Sequence, residues 1–475
     1  MRRAGRGCLV TLGLVVGIGV IAAVFPTGTL TPRVGPIHRG EAGAGMSWLS
    51  SRGGRVVDQQ GRSVLLRGYN VESLLEYPER AAAPLDEVDA ALMAKSGATV
   101  VRVPVSWSLI EPVRGQYDSG YIDRVATAVR MLERHNLYVV LDMHFYPNWG
   151  PRFGGAGAPR WAYIPGIPDA AFKNDLARKN LSPAANFATT YFWMSDDWQS
   201  DYQQSWRRLA ARFVNDPGVA GYDLYNEPRP LPLPPALFEK YWMWPLMSRT
   251  IEAVASVDPN HLFVVESTLW LDQPTLMVKI DSPNLVYSPH VYTGSLVPPA
   301  FDGNPAALAG VIRQRVKEAN YMGAALWTGE LGIDHHSAHA AEWADAILGL
   351  SDDVQAGWAW WQWRQADRHW GIRDAAGTEV DVEFLRHISR PFLAAAPTGV
   401  VGGRGDGVAG TLDITVSGGH AAGVAEVSWP GLTLAAPGAS GSCLTSSRWD
   451  AAADRLYLEL APGAACTVRV RARPA

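Results

Sequence analysis

Two glutamates lie in sequence settings that suit the cleavage of a glycosidic bond. Glu227 ends the stretch Val219–Glu227 and is followed by a proline, and Glu330 ends the stretch Ala324–Glu330. Each stretch is a short apolar run bounded by turn residues, a pattern typical of a buried parallel strand that delivers one carboxylate to the rim of a sheet. Two carboxylates on one rim can divide the reaction. One protonates the departing oxygen, while the other attacks or shields the sugar carbon as it becomes cationic.

The elements that position these glutamates form a repeating series. Apolar runs alternate with longer amphipathic stretches such as Leu85–Lys95 and Tyr121–Asn136. Eight alternating units predict an α/β fold, the closed (β/α)₈ TIM barrel, in which the C-terminal ends of the strands converge on one mouth. The predicted strands are Val64–Asn70, Thr99–Pro104, Leu137–His144, Val219–Glu227, His261–Glu266, Asn284–His290, Ala324–Glu330 and Val354–Trp361.

Most of these strand ends carry a residue with catalytic or binding potential. Function at a barrel comes from strand ends that meet at one mouth, so this distribution is more informative than any single motif. Glu266 is a third carboxylate at such an end, and Asp142 and Asp223 are expected to anchor barrel loops. The candidate site residues are Arg102, His144, Asn226, Glu227, His290, Tyr292, Glu330 and Trp361.

The whole chain has 475 residues, which predicts more than one folding unit. We divide it into a signal peptide or anchor (1–26), a linker (27–46), the barrel (47–396) and a small β-sandwich domain (397–475). The leader carries Arg2, Arg3 and Arg6 before an apolar run, which indicates export, with cleavage and retention as a membrane anchor both open. The protein is therefore expected to be secreted or held on the outer face of the cell membrane.

After Pro397 the sequence changes to short segments in which polar and apolar residues alternate, which predicts the all-β sandwich. It contains Cys443 and Cys466, an even pair in an oxidising compartment, which we expect to be bridged, the alternative being two unpaired thiols. Trp429 and Tyr457 could touch carbohydrate, but packing within a small sandwich is the favoured role.

A long interval between His144 and about Asp201 interrupts the barrel pattern and is rich in aromatic residues. An ordered insertion after a barrel strand lies on the active face. It could wall a substrate groove or cover an apolar leaving group, or it could be an aromatic mini-core that only holds the loop together.

Taken in order, these motifs resemble glycoside hydrolase family 5 over roughly residues 47 to 395. The tripeptide Asn226-Glu227-Pro228 alone is a weak signal, and the ordered set is a strong one. The other matching motifs are Val100-Val-Arg-Val-Pro104, Leu141-Asp-Met-His144, His290-Val-Tyr292, Thr328-Gly-Glu-Leu331 and Gly357-Trp-Ala-Trp-Trp361.

The resemblance implies a retaining mechanism with Glu227 as general acid and base and Glu330 as nucleophile, about 5 to 5.5 Å apart. Glu227 would hold a proton through desolvation and the nearby charge of Glu330, whereas Arg102 and Tyr292 would keep Glu330 ionised.

By the same resemblance, the remaining site residues contact the sugar. Asn226 would bind its 2-hydroxyl, His144 and His290 would orient hydroxyls and the acid, and Trp361 would form an apolar floor beneath the ring. Strand alternation allows only a subset of Trp358, Trp360, Trp361 and Trp363 to face the substrate.

The stretches Val56–Asn70 and Val100–Tyr121 are most similar to the endoglycoceramidase-related branch, whose members separate a glycan from a lipid. That branch usually follows the strand-three histidine with Gln-Asp, whereas this chain has Phe145-Tyr146, so we expect a rebuilt subsite there. An endo-β-1,4-glucanase or mannanase acting on polysaccharide is the nearer alternative, and a non-catalytic surface protein that binds glycans is the more distant one.

Few other partners are expected. The net charge of −4 provides no basic field for phosphates, which argues against a nucleic-acid partner. Histidines and carboxylates lack the spacings of metal ligands, and the retaining mechanism needs no cofactor, so neither a metal nor a cofactor is expected. The substrate is a carbohydrate or a glycolipid. An amphiphilic substrate would suit contact with a membrane surface, and we expect a monomer.

Overall fold

The computed structural model describes residues 28–40, 46–78, 81–168, 182–229, 234–268, 276–365 and 370–474. The predicted leader, residues 1–26, lies outside the described residues. No helix within the described ranges is long and apolar enough to cross a bilayer.

The first described segment packs against the barrel. Strand β1 (Thr29–Leu30) pairs in parallel with β10 (Lys279–Ile280). Farther along, the Arg39 guanidinium donates from Nε to the backbone oxygen of Asn260 at 3.1 Å. Residues 28–40 of the predicted linker are therefore an ordered strap. Composition indicated the lack of periodicity there, but it could not show these long-range contacts.

Eight parallel strands close into the predicted barrel. Each is hydrogen-bonded to its neighbours in the ring order β11-β12-β13-β5-β6-β7-β8-β9. All eight predicted strands are confirmed, with ends that shift by a few residues. Their bounds are β5 (Arg67–Asn70), β6 (Val100–Val105), β7 (Tyr138–Met143), β8 (Val219–Asp223), β9 (Leu262–Val265), β11 (Leu285–Tyr287), β12 (Ala325–Leu331) and β13 (Gly357–Trp360).

Helices alternate with these strands, and their starts follow local sequence rules. Asp86 caps the first helix by accepting from the backbone N–H of Asp89, and Asp118 caps the third in the same way at Tyr121. The helices are α1 (Glu87–Lys95), α2 (Trp107–Ile110), α3 (Ser119–Glu133), α4 (Pro183–Met194), α5 (Asp196–Ala211), α6 (Pro235–Phe238), α7 (Trp244–Ala255), α8 (Ala306–Met322), α9 (Ala340–Asp353) and α10 (Val382–Ile388). A 3₁₀ turn spans Pro151–Phe153, and a π-helical segment, Glu239–Met243, joins α6 to α7.

A β-sandwich follows the barrel, as predicted, but its sheets include strands from before the barrel. One sheet has the order β2-β3-β4-β16-β19-β22-β21 and the other β17-β18-β23-β20, and their facing side chains share one core. The strands are β2 (Ser50–Arg52), β3 (Arg55–Val57), β4 (Ser63–Val64), β16 (Phe392–Ala396), β17 (Val400–Asp406), β18 (Thr411–Val416), β19 (Gly423–Ser428), β20 (Pro437–Ser440), β21 (Leu444–Asp450), β22 (Arg455–Leu460) and β23 (Cys466–Ala472). A separate small pair joins β14 (Arg364–Gln365) and β15 (Arg373–Asp374).

The sandwich therefore begins at Phe392 and takes in residues 50–64, which we had assigned to the barrel. Its antiparallel pairing of β16 with β4 joins residues more than 300 positions apart, a contact that local patterning cannot reveal. A disulfide links Cys443 to Cys466, as expected. Trp429 is fully buried and donates from Nε1 to the backbone oxygen of Ala435, which confirms its packing role.

Candidate active site

The two predicted glutamates face each other at the mouth of the barrel. Glu330 lies near the end of β12, and Glu227 follows β8 by four residues. One carboxylate oxygen of Glu227, one of Glu330 and a ring nitrogen of His290 lie within 4.8 Å of one another. A separation this short suits direct attack by one carboxylate on the sugar. Inverting enzymes need about 6.5–9.5 Å to admit a water between the carboxyl groups.

The backbone at Glu227 is held in an unusual conformation. Its φ is +46°, in the left-handed region that side-chain-bearing residues seldom adopt. The backbone N–H donates to Oε2 of Glu266 at 2.7 Å. Glu266 is itself fully buried, so it anchors the turn that aims Glu227 into the mouth. This assigns Glu266 a positioning role in place of contact with substrate.

Arg102 is the centre of a ring of four buried carboxylates. Its guanidinium lies 2.7 Å from Glu330, 2.9 Å from Asp223, 2.9 Å from Glu266 and 3.1 Å from Asp142. The side chain has no exposed surface. Arg102 therefore holds Glu330, through the contact by which we expected it to keep this carboxylate ionised, and it is too deeply buried to contact the sugar itself. Asp142 and Asp223 belong to this ring as well.

Glu330 receives the two donors that were predicted for a nucleophile. The Arg102 Nη1 group donates to its Oε1 at 2.7 Å, and the Tyr292 hydroxyl donates to its Oε2 at 2.9 Å. Burial and the charge of Glu330 raise the pKa of Tyr292 well above its usual range, so the phenol keeps its proton and remains a donor. Both oxygens of Glu330 are thus oriented before any substrate arrives.

His290 lies between the carboxylates, whose charges favour its protonated form. Its Nδ1 lies 3.1 Å from Glu227 Oε1 and 3.5 Å from Glu330 Oε2, and its Nε2 lies 3.3 Å from Glu266 Oε1. Burial lowers the pKa of His290, but the charges of Glu266 and Glu330 and the hydrogen bond to Glu227 outweigh burial. The pKa is raised well above its usual range.

The pKa shifts of the two glutamates run opposite to the order expected from the sequence. Burial raises the pKa of Glu227, yet the hydrogen bond and charge of His290 outweigh it, and the pKa falls below its usual range. Burial raises the pKa of Glu330 against the opposing charges of His290 and Arg102. We had expected Glu227 to hold the proton. The shifts instead favour the proton on His290, whose Nδ1 lies 3.1 Å from Glu227 Oε1.

Comparison with known proteins places this geometry in a family. The family model described as "Cellulase (glycosyl hydrolase family 5)" matches residues 57–367. The chain belongs to glycoside hydrolase family 5. It is therefore a glycoside hydrolase, as the ordered motifs predicted.

Several relatives within family 5 have names that refer to glycolipids. Endoglycoceramidase I of Rhodococcus hoagii is 24% identical over 375 residues, which cover 74% of this chain and 73% of the relative. A solved endogalactoceramidase has a TM-score of 0.77 and 27% identity, with 90% of this chain and 100% of that chain covered. Endo-glycoceramidase II from Rhodococcus sp., in complex with a five-membered iminocyclitol, has a TM-score of 0.76 and 25% identity, with coverage of 88% and 99%.

Other residues predicted from the family 5 motifs surround the glutamates. The His144 ring stacks on Trp361 at a centroid distance of 5.6 Å, and its Nδ1 lies 2.7 Å from Asp142. Its buried Nε2 has no hydrogen-bond partner among the described residues, so it is free to meet a sugar hydroxyl. Asn226 accepts from Arg102 at 3.0 Å and donates to the backbone oxygen of Phe145 at 3.3 Å, which fixes its amide plane.

Trp361 is the half-buried tryptophan of its segment. Trp358, Trp360 and Trp363 are all buried, so of these four tryptophans Trp361 alone has the exposed surface that the predicted restriction to a subset requires. The aromatic insertion likewise contains both buried and exposed aromatic side chains. Six of its aromatic residues are buried in one core cluster, as the mini-core alternative predicted: Phe145, Trp149, Phe153, Phe192, Trp193 and Trp198.

Two residues at the mouth, Glu72 and Gln362, were missed in the sequence. Glu72 accepts from Gln362 Nε2 at 3.1 Å, and the Tyr77 hydroxyl also donates to it. Burial raises the pKa of Tyr146 to about 12, and the charges of Glu227 and Glu72 contribute. Glu72 follows the end of β5 by two residues and Gln362 follows Trp361, so the strand-end rule could have found both. Tyr146 is part of the predicted rebuilt subsite.

A second cluster of ligand-type oxygens lies in the same region. Oxygens of Asp142, Asp223 and Glu266 lie within 4.8 Å of one another, a spacing compatible with a cation. The guanidinium of Arg102 already lies within 3.1 Å of all three. The positive charge that the cluster requires is thus supplied by the chain itself.

Proposed function

We propose that the protein is a retaining β-glycosidase of the endoglycoceramidase type, which separates a glycan from the lipid of a glycolipid. Its central support is the short distance between Glu227 and Glu330, together with the donors that orient Glu330. The glycolipid substrate is supported by the relatives named endoglycoceramidase and endogalactoceramidase.

In the first step, a carboxylate oxygen of Glu330 attacks the anomeric carbon and forms a glycosyl ester. The bond from that carbon to the lipid oxygen breaks, and Glu227 donates a proton to the leaving oxygen. That proton comes from His290, which passes it to Glu227 across their 3.1 Å hydrogen bond as the lipid oxygen leaves, so Glu227 ends the step as a carboxylate. The lipid departs as a neutral alcohol, and His290 becomes neutral.

In the second step, Glu227 acts as the base. It takes a proton from a water whose oxygen attacks the same carbon, and the ester to Glu330 breaks. Glu330 leaves as a carboxylate that Arg102 and Tyr292 stabilise, and the proton returns to the Glu227–His290 pair. Two inversions at the anomeric carbon give net retention. His144, Asn226 and Trp361 bind the sugar during both steps.

We also propose that the protein acts as a monomer outside the cytoplasm, secreted or anchored on the outer face of the membrane. The arginines and apolar run of the leader and the Cys443–Cys466 disulfide support this location. All the residues of the proposed mechanism come from one chain, which supports a monomer. Contact with a membrane surface follows from the substrate, because glycolipids are presented there.

The test is a substrate screen with the wild-type chain and Glu330→Gln. Glucosyl- and galactosylceramide in detergent micelles are compared with a soluble β-glucan, a β-mannan and an aryl β-glucoside. We expect release of ceramide by wild type, loss in Glu330→Gln, and a first-formed sugar with the β configuration by NMR. Turnover of the polysaccharides alone would favour the glucanase or mannanase alternative. Binding without turnover of any substrate would favour the glycan-binding alternative.

A further inference from the structure

Helix α4 presents an exposed apolar stripe. Its twelve residues include no charged side chain. Phe187, Tyr191 and Met194 recur at intervals of four and three residues, so they share one side of the helix. Their side chains are 56%, 47% and 65% exposed, whereas Phe192 and Trp193 on the same helix are buried. A stripe of large exposed apolar residues on a chargeless helix marks an interaction surface.

A second stripe lies beside the first. Leu237 on α6 and Tyr241 on the π-helical segment are four residues apart and are 45% and 57% exposed. The two helical segments contact each other through Trp193 and Phe238, whose rings meet edge to face at 4.7 Å. We refer to Phe187, Tyr191, Met194, Leu237 and Tyr241 together as the apolar face.

The apolar face lies at the same end of the barrel as the glutamates. Helix α4 follows β7 and precedes α5, which returns the chain to the start of β8. The segment with Leu237 and Tyr241 follows β8 and Glu227, and it precedes α7, which returns the chain to β9. In a barrel, connections that follow strand ends lie on the active face. Both stripes therefore flank the mouth.

The first described residues of the chain, Gly28 and Thr29, lie at that same end. Strand β1 runs parallel to β10, which lies in the connection that descends from the end of β9 to the start of β11. Strand β1 therefore begins at the end of the barrel at which the barrel strands end. The sequence that precedes Gly28 is the leader with its long apolar run. A membrane at this end would accommodate both the leader and the apolar face.

We propose that the apolar face docks on a lipid bilayer and holds the mouth of the barrel against the membrane that presents the substrate. This rests on the proposed glycolipid substrate for its purpose, although the binding itself needs no turnover. Aromatic residues suit this position, because their rings settle at the boundary between headgroups and acyl chains. The substrate's headgroup would then enter the mouth without the lipid leaving the bilayer.

The test measures amide hydrogen exchange of the full chain by mass spectrometry, with and without phosphatidylcholine vesicles that contain no glycolipid. We expect exchange in residues 183–194 and 235–243 to slow at least fivefold with vesicles. Val401 and Val408 provide an internal control, because they are 52% and 56% exposed on the β-sandwich and their segment should be unaffected. This readout holds whether or not the leader is retained.

A variant with Phe187→Ser, Tyr191→Ser and Met194→Ser should lose the protection by vesicles. It should also cleave glycosylceramide in vesicles at least tenfold more slowly than wild type, with turnover in detergent micelles within twofold. A matched Val401→Ser and Val408→Ser variant should behave as wild type. Unchanged melting temperatures show that both variants are folded.

The outcomes separate the two proposals. Vesicle protection of the apolar face without any glycolipid turnover would support docking and refute the proposed substrate. Micellar turnover with equal exchange in the presence and absence of vesicles would overturn docking and leave the proposed substrate standing. Protection that grows with protein concentration and without vesicles would also overturn docking, because a second copy of the chain would then cover the face.

Discussion

Replacement of Arg102 by methionine should destabilise the protein strongly at neutral pH. The guanidinium is fully buried, and its nitrogens lie 2.7–3.1 Å from Asp142, Asp223, Glu266 and Glu330. Methionine would fill much of the same space but leave these carboxylates without their cation. Removing one partner from a buried ion pair costs about 3–5 kcal/mol. That is a large share of the roughly 5–15 kcal/mol that stabilises a typical domain.

The free energy of unfolding that Arg102→Met loses relative to wild type should be smaller at lower pH. Burial and Glu266 already raise the pKa of Asp223 well above its usual range, and loss of Arg102 would raise the pKa of its neighbours too. Carboxyl groups whose pKa is higher in the folded than in the unfolded protein support folding at low pH and lose that support as pH rises. The deficit of Arg102→Met relative to wild type should therefore shrink between pH 7 and pH 5.

Apart from its loss of stability, Arg102→Met should have lower activity when it is folded. A hydrogen bond to a charged group contributes about 1.5–3 kcal/mol, and Arg102 donates one to the nucleophile Glu330. Its loss corresponds to a decrease of about 10- to 150-fold in kcat/KM on an aryl β-glycoside, measured where the variant is folded. Arg102→Lys keeps the positive charge but not the planar set of guanidinium donors, so its kcat/KM should lie between those of wild type and Arg102→Met.

Arg67→Met is the matched control. Arg67 is also fully buried, and it donates to Asp352 at 2.6 Å near the opposite end of β5. This variant should lose stability in urea denaturation while the folded protein keeps its kcat/KM. A free energy of unfolding for Arg102→Met within about 1 kcal/mol of wild type at pH 7 would refute the reasoning, because removal of a buried cation should cost more. Equal activity of the two folded variants would refute it too.

Three further predictions follow from particular groups. Glu227→Gln should slow cleavage of an alkyl or lipid β-glycoside by about 10²–10⁴-fold. It should slow cleavage of a dinitrophenyl glycoside far less, because a good leaving group needs no acid. Equal losses on the two substrates in steady-state assays would contradict the acid role. Burial raises the pKa of Glu239 to about 8, so its contribution to folding is present below about pH 4.5 and is lost as pH rises toward 8. The free energy of unfolding of Glu239→Gln, measured by urea denaturation, should therefore fall with pH less steeply than that of wild type, by up to about 1.4 kcal/mol per pH unit in that window. An unchanged slope would mean that Glu239 is not buried as described. The double variant with Cys443→Ala and Cys466→Ala should lower the stability of the β-sandwich by about 3 kcal/mol, because the bond closes a loop with a sequence separation of 23. Its turnover should stay within twofold of wild type. Lost turnover would show that the sandwich shapes the mouth.

Local patterning was sufficient for the barrel. Its strands are short apolar runs that end in functional residues, and parallel barrel strands need no special turn chemistry to be visible in sequence. Glu227 and Glu330 were found because each ends such a run, and all strand ends must meet at one mouth. The same rule applied two residues beyond β5 would have reached Glu72.

The remaining features depend on contacts between distant parts of the chain. The pairing of Val64 with Ala395 and the contact of Arg39 with Asn260 leave no periodic trace near either partner. The acidity of Glu227 was expected in the wrong direction for the same reason. Strand ends indicate which residues reach the mouth, but they do not show that His290 Nδ1 lies 3.1 Å from Glu227 Oε1.

The central claim is that Glu330 forms a covalent ester with the sugar. A 2-deoxy-2-fluoro-β-glycosyl fluoride of glucose or galactose tests it directly, because the fluorine at C2 slows the second step while the fluoride leaves without an acid. We predict that the intact mass of the protein rises by one fluorosugar, that digestion places it on the peptide containing Glu330, and that Glu330→Gln acquires none. A label on the peptide containing Glu227, or turnover without a label and with an inverted product, would contradict the account.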